Sequence, residues 1–418
     1  MSEIYLILYI IVWLLTFLRY QRRVNSFDAG SFILLCYLIF AVASYFLWIN
    51  PFYKGDYKEI HLFPFVYLYI FTMISTSPIL KYNSSSIKSI ASPSHRFARF
   101  ISIAYIISSL TRIPYMITHI QDGLMKIMMD STVGNEVYWN ALDSAADGGS
   151  GVSSLFSILS GALSGVGMLL FFYELTETKP NKKLLFGLGT ATFISVIGPI
   201  ADGFRGGTVL QLFGILITYF AFRQFLSSKI NSIIKKVGIV FFVVISIPIV
   251  IMTISRFGER SEGTLGSMVC YAGQENLNFN NYGLDANGIR YGDRTINLVK
   301  RVFFDDVPMN YMERRAKYPH MKMNDSVYYT YVGDFTLDFG PFGAAIIIIL
   351  FTLLINQIKV RNGTIEFHDF ILVSLVMQIC AKGAMTSFSF SDTGNISLIM
   401  YFILYFAFKF EHSKFSRI

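Results

Sequence analysis

Eleven long apolar stretches divide this 418-residue chain, near 3–19, 29–49, 61–80, 97–119, 152–173, 184–201, 207–226, 237–256, 332–357, 368–388 and 394–410. A helix needs roughly 20 mostly apolar residues to cross a bilayer. With no water to bond its backbone, such a chain is confined to helices or closed barrels, and stretches of this length choose helices. The expectation is an all-α polytopic transmembrane bundle of about 11 helices. Two stretches, 184–201 and 332–357, contain Gly and polar residues, so their ends are the least sharply marked. Composition agrees: 53% of residues are hydrophobic and 15% charged, against roughly 25% charged in soluble domains. A soluble fold of this length could not hide that much apolar surface.

The first stretch has no positively charged lead and no small-residue cleavage site, and Arg19, Arg22 and Arg23 follow it. It reads as a retained helix, not a cleaved signal. Cys36 and Cys380 fall inside helices and Cys270 stands alone in a long loop. Neither a disulfide framework nor a metal-ligand spacing is present, so neither metal nor cofactor is expected.

Lys and Arg alternate from loop to loop. The first, third, fifth, seventh and ninth loops carry Arg19, Arg22, Arg23; Lys81, Lys88, Arg96, Arg99; Lys179, Lys182, Lys183; Arg223, Lys229, Lys235, Lys236; and Lys359, Arg361. The C-terminal tail adds Lys409, Lys414 and Arg417, whereas short loops of the other set hold only Lys54, Lys58, Lys126 and Arg205. Cationic loops face the cytoplasm. The N-terminus is therefore expected outside and the C-terminus in the cytoplasm. The net charge of +8 follows from this bias and does not indicate nucleic-acid binding.

Three parts follow along the chain: 1–256 with helices one to eight, a large external loop 257–331, and 332–418 with helices nine to eleven and the tail. The large loop is rich in Tyr, Asn, Gly and Arg, a composition suited to a polar ligand such as sugar and equally to plain solvation. It alone is large enough for a small subdomain. A second external loop, 120–151, is acidic, and Leu124, Met125, Ile127, Met128 and Met129 give its start the character of an interfacial helix. The cytoplasmic loops are too short for a nucleotide-binding domain, and no phosphate-binding Gly-rich loop occurs. An ATP-driven pump is thereby excluded.

Charges at membrane depth are costly and need a reason. Arg112 and Lys382 lie toward the outer ends of their helices. Arg205 sits in the turn Gly203-Phe204-Arg205-Gly206-Gly207 beside Asp202, and Arg256 and Arg260 follow the eighth helix. Snorkelling, pairing with Asp202 or interface anchoring would each explain one of them. Together they suggest an external cationic ring, suited to a phosphate through the bidentate fork of Arg. Asp334 and Asp338 stand four apart before Gly340-Pro341, which on a helix places both on one face; acids near a helix N-terminus are the simpler alternative. His320, Asp305, Asp306, Glu259, Gln274 and Glu275 are further loop candidates, although a lone loop His is ordinarily just solvated.

The layout resembles the O-antigen polymerase family, the Wzy-type oligosaccharide repeat-unit polymerases of bacterial envelopes. The resemblance rests on the many helices, the large external loop, Gly-Phe-Arg-Gly at 203–206 and Asp-Phe-Gly-Pro-Phe-Gly at 338–343. It spans the whole chain but is mostly architectural, and eleven helices differ from the even number frequent in that family. It implies a metal-independent membrane glycosyltransferase of the bacterial inner membrane. Such an enzyme joins undecaprenyl-diphosphate-linked repeat units on the periplasmic face. The partners implied are that lipid-linked glycan, membrane lipid, a chain-length regulator and a flippase. Arg205, Arg256 and Arg260 would take the diphosphate, with Lys382 and Arg112 behind them. Asp338 or His320 would be the base, if a base is used. The alternatives are an O-antigen ligase, an anion or polysaccharide transporter without chemistry, and a structural membrane protein. A transporter built on matched halves would show an internal repeat, and none is evident.

Overall fold

A computed structural model describes residues 1–53, 55–128, 152–201, 205–257, 263–304, 306–308, 313, 316–322, 329–387 and 392–415. The fold is an all-α bundle. Its helices are α1 (Ser2–Val24), α2 (Ala29–Ile49), α3 (Leu62–Lys81), α4 (His95–Leu110), α5 (Ile113–Met128), α6 (Val152–Thr176) and α7 (Lys182–Ala201). They continue with α8 (Arg205–Phe222), α9 (Ser228–Phe257), α10 (Gly263–Asn278), α11 (Asn297–Phe303), α12 (Thr330–Asn356), α13 (Phe367–Lys382) and α14 (Asp392–Phe415). Among the described residues, the sheet structure is a parallel pair, Ser89–Ile90 with Thr364–Ile365.

Nine spans among the described residues are long and apolar enough to cross a membrane, with α4 and the start of α5 forming one of them, His95–His119. Two further helices, α8 and α13, are shorter at 18 and 16 residues. This is a multi-pass membrane protein. The shortness of α13 has a physical reason. Phe370, Ile371, Val373, Leu375 and Cys380 are all buried, because α13 packs against α2, α3, α6, α8 and α14. Protein, not lipid, surrounds it, so its length need not match the bilayer. At the rim, α9 exposes Val237, Val240, Phe242 and Val244, which is the expected face toward acyl chains.

Contacts between loops sort into two ends. At one, Lys81 donates to the Asn356 carbonyl (3.1 Å), Arg223 to the Phe27 carbonyl (3.0 Å), and His412 meets Glu366 (3.2 Å). At the other, the backbone N–H groups of Lys58, Ile60 and His61 donate to Asn281, Ser2 and Asn280. The first, basic end gathers the loops with the Lys and Arg residues, as the charge alternation predicts. The second gathers the N-terminus and the long loop.

Three sequence expectations change in detail. The fourth apolar stretch breaks at Thr111–Arg112 and its helix resumes as α5 to Met128, so the start of loop 120–151 is a continuation of α5; Met129 lies outside the described residues. Part of the stretch 257–331 packs into the bundle. Its α10 is wedged against the bundle: a Cβ on Gly273 would lie 2.6 Å from the Ala43 carbonyl oxygen, Ser44 donates to the Gly273 carbonyl (2.8 Å), and Tyr9 donates to Asn276 (3.2 Å).

The third change concerns α12. It is two helices joined at Gly340, whose φ of 72° and ψ of 167° leave the helical region for one that glycine adopts most easily; Pro341 then opens the second helix. Contacts fix the depth of each half. The Pro341 carbonyl accepts from Tyr67 (2.5 Å), about 8 Å along α3 from Leu62 at 1.5 Å per residue. Tyr331, at the other end of the first half, bonds Ser75, about 20 Å along the same helix. Its N–H donates to the Gly383 carbonyl (2.9 Å) at the tip of α13. The segment Thr330–Phe339 thus starts deep between α3 and α13 and climbs to the turn at Gly340. The second half runs back to the basic end.

Candidate functional site

Two arginines of the long loop meet two aspartates of the short half-helix. Arg290 Nε lies 3.0 Å from Asp338 Oδ1, and Arg294 Nε lies 3.2 Å from Asp334 Oδ1. All four residues are buried, both carboxylates completely. The pairing runs in reverse order, so the loop lies antiparallel to the half-helix, and the N–H of Arg290 donates to the Leu337 carbonyl (2.9 Å).

The second oxygen of each carboxylate is also held. Asp338 Oδ2 accepts from the backbone N–H (2.6 Å) and hydroxyl (2.7 Å) of Thr295. Asp334 Oδ2 accepts from the Thr386 hydroxyl (2.8 Å) and the Ser387 N–H (2.6 Å). Desolvating an ion pair costs several kcal/mol, recovered only with good geometry and extra hydrogen bonds; the Thr and Ser donors supply those bonds. The i, i+4 spacing of Asp334 and Asp338 places both on one face, as the sequence predicts. Stabilisation of a helix N-terminus does not account for them, because each receives its own arginine.

A second polar layer ties the clasp to the rest of the loop. Asp293 is bonded by Lys300, by Lys317 (2.9 Å) and by Tyr318 (2.6 Å), and Lys317 also reaches Asp306 (2.8 Å). Burial works against charge on Asp293, but Lys300, Tyr318 and Lys317 outweigh it and hold its carboxyl below the usual value. Lys317 moves up: burial opposes its charge, and Asp306 and Asp293 overcome that opposition. On the other side, Asn395 donates to the Thr295 carbonyl (3.2 Å) and to Asn297 (2.8 Å), and Asn297 and Arg301 both bond Asp392.

The residues named from sequence are distributed as follows. Arg205 is the first residue of α8 and Arg256 lies in the last turn of α9; Arg260 lies outside the described residues. Arg112 sits at the α4–α5 break against α7, its guanidinium about where a Cβ on Gly198 would touch it (3.1 Å). Lys382 ends α13 and lies against Gly214 of α8 (3.3 Å from such a Cβ). The structure therefore sets Arg112 against α7 and Lys382 against α8. Asp338 is in the clasp. His320 is exposed in the loop, its Nε2 3.0 Å from where a Cβ on Gly288 would stand and its carbonyl accepting from Asn287 (2.9 Å). Gln274 and Glu275 are buried, so neither faces outward from the loop; burial pushes the Glu275 carboxyl well above its ordinary value. Glu259 and Asp305 lie outside the described residues.

Sequence reasoning missed Arg290, Asp293, Arg294, Thr295 and Asn395. One signal was available: Arg290 and Arg294 repeat the spacing of Asp334 and Asp338, and two like-spaced sets of opposite charge can pair in register. No protein-family model, curated protein or solved structure matches this chain.

Proposed function

We propose that the chain is a membrane glycosyltransferase that polymerises lipid-diphosphate-linked oligosaccharide repeat units, as the O-antigen polymerases do, at the non-cytoplasmic face of a bacterial inner membrane. The observation that carries this reading is the arginine–aspartate clasp. It joins the long loop, which gathers at the end of the bundle opposite the basic loops, to the half-helix that climbs toward that end at Gly340; by the positive-inside rule that end is the non-cytoplasmic one. Guanidinium groups oriented in advance by buried carboxylates are suited to a diphosphate whose charge grows as it leaves.

In the reaction, the bond from the anomeric carbon of the growing chain to its diphosphate breaks. A hydroxyl of the incoming unit bonds that carbon, and its proton passes to the released lipid diphosphate. Arg290 and Arg294 stabilise the departing charge. Arg205, Arg256, Arg260, Arg112 and Lys382 are the further cations that the sequence offers to the lipid carrier. Asp338 has both oxygens engaged, so its role is to orient Arg290; this reading replaces the general base expected from sequence. His320 remains a candidate at the loop surface, and the chemistry does not require it, because a diphosphate is already a good leaving group.

The test is deletion of the gene in its host. Surface glycan reduced to single repeat units supports the polymerase. Unchanged long chains overturn it. Long chains that form on the lipid carrier but never reach their final acceptor indicate the ligase reaction instead.

A further inference from the structure

The short loop helix α11 has two faces of opposite character. Asn297, Lys300 and Arg301, spaced three and four apart, turn toward the protein, where they meet Asp392, Asp293 and Asp392 respectively. Val299, Val302 and Phe303 form the other face, and Phe304 follows; Val302 is 73% exposed and Phe303 74% exposed. Both cations of the helix are thus committed inward, and the outer face carries no charge.

The height of this face is fixed. Asp392 is the first residue of α14, an apolar span of the membrane, and it is the residue that Asn297 and Arg301 bond. A helix tied to the end of a membrane span lies at the boundary between headgroups and acyl chains, where amphipathic helices bury their apolar side. Along its length α14 itself exposes Ile399, Ile403, Phe406 and Phe410, the mark of a lipid-facing helix.

We infer that Val299, Val302, Phe303 and Phe304 insert into the leaflet at this end of the protein, making the loop a membrane-seated element. Its occupant is bulk lipid. The inference is independent of the reaction proposed above. It carries a structural consequence: Thr295, which holds Asp338, is two residues before Asn297, so the seat in the lipid sets the height of the arginine clasp.

The experiment uses the full chain in nanodiscs whose acyl chains are brominated near the headgroup. Phe303→Trp is compared with Lys322→Trp, a position exposed in the same loop, each read as emission added over the native tryptophans. The expected result is quenching about twofold or more stronger for the residue-303 variant, with little quenching by aqueous acrylamide. Equal quenching of both variants by acrylamide places the helix in water and overturns the inference. Protection of position 303 from both quenchers means that protein covers it, a second copy included, and overturns it as well. Val302→Trp reads the same face should Phe303→Trp fail to fold.

Discussion

Arg290 and Asp338 form a fully buried ion pair, 3.0 Å from Nε to Oδ1, that joins the long loop to the half-helix before Gly340. Removing either partner alone leaves the charge of the other buried. Arg290→Ala or Asp338→Ala should each cost about 3–5 kcal/mol. The double variant should cost clearly less than the sum of the two, because residues in contact are coupled. Thermal melting of the purified protein checks this; additive losses would mean that the two groups do not depend on each other.

The turn between the two halves of α12 rests on Gly340. Among the described residues a Cβ there meets Ile289, at an ordinary 3.5 Å; the φ of 72° is the constraint. Gly340→Ala should therefore lower stability by about 1–2 kcal/mol, the penalty of a left-handed backbone for an L residue. A neutral result in the same melting assay would show that the turn relaxes to ordinary backbone angles.

At Gly273 the opposite holds: the backbone is helical and the space is missing. A side chain there meets the backbone of Ala43, which cannot rotate away. Gly273→Ala gains about 1 kcal/mol of helix propensity, yet should lower the melting temperature because α10 must lift from α2. An increase would show that α10 is not held at this contact.

The loop should also loosen in acid. The Asp293 carboxyl is held below its ordinary value in the folded chain. It therefore contributes stability above the unfolded carboxylate pKa of roughly 4, and that contribution is lost as pH falls through the lower folded value. Hydrogen exchange of the segment 290–304 should rise below about pH 4. In Asp293→Asn, exchange should already be fast at neutral pH and change less on acidification. An acid response of equal size in both proteins would place the titrating group elsewhere.

Much of the architecture was legible because lipid imposes it. The spans and the alternating cationic loops follow from length and charge, whereas the break at Gly340-Pro341 inside the stretch 332–357 did not show in its apolar run. The common face of Asp334 and Asp338 follows from their spacing. The arginines that meet those aspartates were not found, because they lie mid-loop, away from the helix ends where membrane cations ordinarily act. Their burial depends on a tertiary event, the loop lying antiparallel to a half-helix that starts deep beside Ser75 and Gly383. The inward turn of Glu275 was hidden for the same reason: composition marks 257–331 as a polar loop, and only the close approach of Gly273 to Ala43 shows that part of it is packed in the bundle.

The central claim is that Arg290 and Arg294 grip a diphosphate. The direct measurement is the affinity of the purified protein in nanodiscs for a polyprenyl diphosphate and for the corresponding monophosphate, in wild type and in Arg294→Lys. Wild type should prefer the diphosphate, and the lysine variant, lacking the planar fork, should lose about tenfold in diphosphate affinity, or 1.4 kcal/mol, measured at a temperature where both proteins are folded. Equal binding of both lipids by wild type, or full retention of diphosphate affinity in Arg294→Lys, would contradict the account.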